Sequence, residues 1–279
     1  MTEIIQLDEE ILDGAPTIHL SRRGLVCGLA AGTVFPFVVS GCTTNPYTGE
    51  QELNLYGEAQ IAEMAATAWS DLKSQTPQSS SPELRNTVMR TWNRIEKATP
   101  KAGEQWDVAV FDTDDVNAFV MPGNRVGVYR GIVDLAENDD QLSAVLGHEV
   151  GHAVYRHAGR RMTRATLAQA ALVAGQVAVV SSEELRQYGD LIVGLGGAAV
   201  QFGVVLPYSR QSELEADRAG VDYMYEAGYD VRQSVRLWEL MDAKSSGSST
   251  PEFMSTHPEP ARRAAELTNY INAKGYALI

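Results

Sequence analysis

The chain is poor in cysteine, in positive charge and in long apolar runs. Its 279 residues hold two cysteines, Cys27 and Cys42, too few for a disulfide framework or a four-thiolate metal site. Lys and Arg number 23 against 36 Asp and Glu, a formal charge of −13. A nucleic-acid binder needs a basic face for phosphates, so no nucleic acid is expected as a partner. The apolar run 24–39 has 16 residues and contains Pro36, short of the roughly 20 needed to span a bilayer as a helix. There is no 34-residue helical repeat and no sign of a second domain. What is present is an ordinary globular composition, 44% hydrophobic and 21% charged, in a chain long enough to bury a sizeable core. The five histidines are few enough to account for singly.

Residues 1–20 carry five acids and no Lys or Arg, and Ser21-Arg22-Arg23 precedes the apolar run, which ends in Val39-Ser40-Gly41-Cys42. A charged start, a short apolar middle and small residues at the end describe an export signal over 1–41. The last four residues resemble the lipobox of bacterial lipoproteins, which implies lipidation of Cys42. Ser21 to Val26 also resembles a twin-arginine export motif. Thr43, rather than Asp, follows the cysteine, as in Gram-negative lipoproteins sorted to the outer membrane. The expected location is therefore the periplasmic side of a bacterial membrane, held by a lipid anchor, the outer membrane rather than the inner. An uncleaved membrane anchor is the alternative, since no charge falls between Gly24 and Gly49.

Residues 42–56 read as a polar, turn-rich tether and 57–279 as one domain. Apolar residues at helical spacing (Ile61, Met64, Ala65, Ala68, Trp69, Leu72) predict a helix over about 57–73, and Leu84, Val88, Trp92 and Ile95 predict another over about 82–98. The period then changes. Residues 106–111 alternate like a strand, and 117–121 and 125–130 flank Pro122-Gly123-Asn124 as a β-hairpin. Asn138, with Gln141 three residues on, opens a long helix through about Met162. Residues 166–206 are Ala-, Gly- and Val-rich, in two pieces each short for a membrane span, and read as buried or interfacial helices. The fold class is mainly α with a small antiparallel β-sheet, α+β.

His148-Glu149-Val150-Gly151-His152 fits H-E-x-x-H. On a helix, positions i and i+4 share a face, so His148 and His152 can both reach one ion. Zinc accepts neutral imidazole nitrogen at about 2.0–2.1 Å in tetrahedral sites, one Zn²⁺ per chain being expected here. Glu149 lies beside that face, where its carboxylate reaches water at the ion rather than the ion itself and can act as general base. A third ligand is required. Glu213 and Asp217 are one helical turn apart, which makes Glu213 the third ligand and Asp217 the acceptor for the far nitrogen of a ligand histidine, His148 by preference. Glu215 is the competing ligand. Glu213 is preferred because only it places an Asp one turn later.

Four blocks in this order, Asn117–Gly123, Leu146–His157, Ser209–Gly220 and Ser255–Pro258, resemble the gluzincin metallopeptidases of the HtpX, BepA and CAAX prenyl endopeptidase family, in its small periplasmic lipoprotein form. The likeness covers Gly57 to the C-terminus. It implies a zincin-like fold with the H-E-x-x-H motif on the active-site helix. It also implies a cleft bordered by an edge strand, to which substrate adds as a further strand; Asn117, Ala118, Phe119 and Val120 are the candidates. Neither the C-terminal tetratricopeptide domain of the BepA type nor the obvious transmembrane helices of the HtpX type are expected from this sequence, which weakens any carry-over of partner-docking roles. His157 follows His152 by five residues, off the ligand face, and reads as structural or supporting. The resemblance implies a place near the zinc for His257, as an oxyanion stabiliser or a latch on the open zinc position; a plain loop histidine after the Ser/Gly-rich stretch 244–249 is the alternative. Thr256 with Glu259 resembles a helix N-cap pair, and Tyr208 and Arg210 are weaker oxyanion candidates.

These features predict a zinc-dependent, lipid-anchored endopeptidase. The resemblance implies that its protein substrates are unfolded or misassembled envelope proteins. The rival readings are a latent or non-proteolytic chaperone or assembly factor, and an intramembrane protease built on 166–206. Nothing in the sequence fixes the oligomeric state.

Overall fold

A computed structural model describes residues 42–173, 208–245 and 252–276. The expected export signal, residues 1–41, and most of the apolar stretch 166–206 lie outside the described residues.

The tether is folded. Strands β1 (Cys42–Thr44) and β2 (Gln51–Leu53) pair antiparallel. Asn45, in the turn between them, is fully buried and donates to the backbone carbonyl of Val154, 2.8 Å away, and to Glu52 at 3.1 Å. The sequence reads as a tether because these residues are polar. They fold because Asn45 satisfies a carbonyl at the C-terminal end of another element, one of the orphan acceptors every helix leaves there.

Helix α1 (Glu58–Gln75) buries Ile61, Ala65 and Trp69. Helix α2 (Pro82–Lys97) opens with Ser81 accepting from the Leu84 amide and with proline in its first turn, and buries Val88, Thr91, Trp92 and Ile95. Next come β3 (Asp107–Phe111), β4 (Ala118–Met121) and β5 (Arg125–Tyr129). The expected hairpin is β4–β5, antiparallel, turned by Gly123 and Asn124 at φ 82° and 57°. The sheet is mixed, because β3 pairs with β5 in parallel and the order is β3-β5-β4. Alternation gives each strand two apolar faces. Ala109, Phe111, Met121 and Tyr129 meet Ala65 and Trp69 of α1, while Val110, Ala118, Val126 and Val128 face the main core. The free side of β3 is covered by residues 77–79, with Ser79 donating to Val110 and Asp112 to Pro77. The free side of β4 borders a cleft.

Helix α3 (Arg130–Leu135) is short. Helix α4 (Asp139–Val154) is capped as the sequence predicts, Asn138 accepting from the Gln141 amide, and nearly every residue from Gln141 to Val154 is buried. It does not run on to Met162. Arg156 adopts a left-handed φ of 51°, which ends one helix and starts α5 (His157–Val173) in a new direction. Such a conformation costs about 1–2 kcal/mol for a residue with a Cβ, and sequence periodicity carries no sign of it.

The remaining elements among the described residues are α6 (Arg210–Glu226), α7 (Arg232–Ser245), α8 (Glu252–Thr256) and α9 (Pro260–Lys274). The expected Thr256–Glu259 N-cap pair does not form. Thr256 ends α8, bonding back to the Phe253 carbonyl, and Glu259 starts α9 in a left-handed conformation while its carboxylate takes Arg210.

Helices α4 and α6 cross almost in backbone contact. A Cβ added at Gly151 would lie 2.9 Å from the Ala216 carbonyl oxygen, and one at Gly220 would lie 2.9 Å from the His148 amide nitrogen. Glycine at these positions lets α6 approach α4 closely enough for short acidic side chains to meet its histidines.

Candidate metal centre

Helix α4 presents His148 and His152 on one face, as one-turn spacing requires, with imidazole Nε2 atoms 2.9 Å apart. Across the close helix crossing, Glu213 brings its carboxylate oxygens to 3.6 Å from His148 Nε2 and 3.5 Å from His152 Nε2. His257, just past α8, adds Nδ1 at 3.0 Å from Glu213 and 3.2 Å from His148 Nε2. All four side chains are buried, and one ligand atom from each falls within 4.8 Å of the others. Donors at about 2.0–2.1 Å from a tetrahedral ion would be about 3.3 Å apart. The observed separations straddle that value, and three imidazoles with one carboxylate suit a divalent cation, so the residues fit a metal ion.

Asp217 Oδ1 lies 3.0 Å from His148 Nδ1, the nitrogen turned away from the cluster. Arg263, which the sequence did not single out, reaches in from α9. Its Nη1 is 2.6 Å from Glu213 and its Nη2 2.5 Å from Asp217, with the guanidinium 3.5 Å from the Trp238 ring centroid. In sequence, Arg263 sits among charged positions of an amphipathic helix and reads as a surface residue. The available signal was the pair Glu213 and Asp217, two acids that need a counter-charge once buried.

Burial, with Arg263 nearby, pushes His148 down to about 4, and burial together with His148 pushes His152 well below the usual histidine range. Both are therefore held neutral, as ligands must be. Burial opposes ionisation of Glu213, yet His257 and Arg263 outweigh it and hold this carboxyl below its ordinary value. Asp217 is likewise held down to about 2, against burial, by Arg263 and His148. Glu149 goes the other way. Burial first, then the Glu213 charge, raises it well above the usual carboxylate range. Its Oε1 has no hydrogen-bond partner among the described residues.

Glu149 and His257 line one wall of a cleft whose other wall is Asn117, Phe119 and Val120. Tyr129 donates to the Asn117 carbonyl, so antiparallel alternation turns the backbone of Ala118 and Val120 away from β5. The Val120 backbone amide faces the Glu149 carboxylate. Tyr208 stacks on His152 at 3.9 Å between centroids and also lines the cleft. Arg210 is turned to Glu259 at the surface and does not join the cluster. Glu215 is neither a ligand nor a solvated acid, since it takes His157 Nε2 at 3.0 Å and Arg160 at 2.7 Å. His157 Nδ1 meets His152 Nδ1 at 2.7 Å. Cys42 is exposed at the start of β1.

The model of Peptidase family M48 matches residues 79–271. Among curated proteins, the chain is 31% identical to mitochondrial metalloendopeptidase OMA1 of Schizosaccharomyces pombe, over 75% of this chain and 60% of that protein. It is 30% identical to the mitochondrial metalloendopeptidase OMA1 of Bos taurus, over 91% of this chain and 51% of the relative. It is 23% identical to the beta-barrel assembly-enhancing protease of Escherichia coli, over 89% and 51%. The chain thus spans between half and three fifths of the length of these relatives. The expected bacterial outer-membrane, lipid-anchored location does not stand, because relatives at 30–31% identity are mitochondrial proteins. Among the described residues no helix is long and apolar enough to cross a membrane.

Proposed function

The chain belongs to peptidase family M48, and from that premise we propose that it is a zinc-dependent endopeptidase acting on unfolded or misassembled proteins. The observation that carries this reading is the convergence of His148, His152 and Glu213 beside a buried Glu149 oxygen that accepts no hydrogen bond and lies 3.5 Å from His257 Nε2, on the wall of a strand-edged cleft. His148, His152 and Glu213 would hold the ion. Bound zinc would supply Lewis acidity, polarising the scissile carbonyl and lowering the pKa of the attacking water. Glu149 takes the proton of that water on Oε1 and returns it to the leaving amine. Burial and the Glu213 charge raise its pKa above that of an ordinary carboxylate, which makes it a stronger base toward that proton. The outward backbone groups of Ala118 and Val120 pair with substrate as an added strand. Such pairing is indifferent to side chains, which favours extended, unfolded segments as substrates. The finer reading, misassembled envelope proteins, rests on the likeness to the Escherichia coli relative, whose name ties it to β-barrel assembly.

One observation favours a latent form of the same enzyme, the fallback being an assembly factor. His257 Nδ1 sits among the ligand atoms, where it would take the fourth position that catalysis needs open. Casein degradation by the purified full chain, with and without chelator, tests both readings. Glu149→Gln is expected to lower kcat on the order of 10²–10⁴-fold, and His257→Ala to raise it if the site is latched. Absence of chelator-sensitive cleavage, even with His257→Ala, would overturn the peptidase reading.

A further inference from the structure

Helix α6 carries acids at three alternate positions, Glu213, Glu215 and Asp217. Glu213 joins the ligand cluster and Asp217 receives His148 Nδ1 directly. Glu215 points to another side of the helix and cannot reach His152, whose Nδ1 meets the Nδ1 of His157 at 2.7 Å instead. The other nitrogen of that second imidazole, Nε2, lies 3.0 Å from Glu215 Oε2. We propose that His157 and Glu215 form a two-member relay that fixes the tautomer and ring orientation of His152, making them positioning residues for the metal ligand.

The proton placement follows by elimination. Glu215 is bound by Arg160 at 2.7 Å and by Gln211 at 2.8 Å, donors both, so it is an ionised acceptor. His157 must therefore carry its proton on Nε2, where it donates to Glu215, and present a lone pair on Nδ1. His152 must then carry its proton on Nδ1 to donate across the 2.7 Å contact, which leaves the Nε2 lone pair directed at the cluster. Reversing both tautomers would still match at that contact, but it would set the His157 Nε2 lone pair against the Glu215 carboxylate 3.0 Å away. The imidazole is placed by the left-handed Arg156. Continued helix would turn residue 157 about 140° from residue 152, off the ligand face, whereas the break returns it to a wholly buried position between His152 and Tyr155. Each histidine ligand thus ends on a carboxylate of α6, His148 directly and His152 through one intervening ring.

The inference rests on the metal-site reading above, but its test needs no peptidase activity. In the zinc-loaded full chain, long-range ¹H–¹⁵N spectra of the imidazoles should report His152 as the Nδ1–H form and His157 as the Nε2–H form. His157 seen as Nδ1–H, or doubly protonated at neutral pH, would overturn the relay without any variant. His157→Leu and Glu215→Ala should weaken zinc affinity about tenfold to a hundredfold, the effect usual for lost outer partners of a ligand histidine, read by competition with a chromogenic chelator. In the chelator-treated, zinc-free state, where the metal does not itself fix the tautomer, both should also give His152 a mixed tautomer signal. Glu215→Gln, which keeps a carbonyl acceptor for His157, should restore most of the affinity. Folded variants, verified by circular dichroism, with unchanged zinc affinity and an unchanged His152 tautomer would refute the proposal. A chain that binds zinc this way yet cleaves nothing would overturn the proposed function and leave the relay standing.

Discussion

Arg263 has one charge and two carboxylates within 2.6 Å of it. It is among the largest fully buried side chains, and water contributes little to its stabilisation there. A buried pair of this kind contributes little net stability against an apolar replacement, but removing one member leaves the other charge uncompensated. Arg263→Ala is therefore expected to destabilise the metal-free protein by about 3–5 kcal/mol, measured by urea unfolding. Arg263→Lys keeps the charge but not the fork that spans Glu213 and Asp217, so it should recover only part of the loss. A variant as stable as the parent would show that the two acids find another partner.

At the scale of elements, the site depends on how closely α4 and α6 approach. The glycine contacts at 151 and 220 leave no room for a methyl group, the nearest obstacles being backbone rather than flexible side chain. Gly220→Ala should force the helices apart by a fraction of an ångström, cost about 1–3 kcal/mol by overpacking, and weaken metal binding more than an alanine at an exposed helical glycine would. Thermal melting together with zinc titration separates the two effects. The hairpin β1–β2 acts on the same helix from its other end. Asn45→Ala leaves the Val154 carbonyl without its donor and should cost about 1–3 kcal/mol, read by the same melting experiment. A loss near zero would mean that residues 42–56 are a tether after all.

For the whole molecule, stability is linked both to pH and to metal. His148 and His157 are held by burial at about 4, against about 6.5 in an unfolded chain. Between those values the unfolded chain binds more protons than the folded one, so stability falls as pH drops from about 6.5 toward 4. Melting of chelator-treated protein across that range should show the decline, and a flat profile would contradict it. Metal acts through segments far apart in sequence, at 148–152, 213 and 257. Binding only to the folded state adds RT ln(1 + [M]/Kd), about 2.7 kcal/mol at a hundredfold excess over Kd. The melting temperature should therefore rise with zinc concentration and fall on chelation.

The sequence by itself determined whatever depends on local geometry. His148 and His152 stand one helical turn apart, with Glu149 beside their face, and Glu213 and Asp217 stand one turn apart likewise, so these placements exist before any tertiary contact. The hairpin at Pro122-Gly123-Asn124 and the caps at Ser81 and Asn138 are equally local, fixed by dihedral preference and short-range hydrogen bonds. The tertiary structure alone decided how those pieces meet. The parallel pairing of β3 with β5, the docking of Asn45 on Val154, the left-handed break at Arg156, the burial of Arg263 and the relay from His152 to Glu215 all join distant parts of the chain or follow from packing. Such contacts are selected by burial, close approach and charge compensation in the assembled core, and none of these leaves a periodic trace in the sequence.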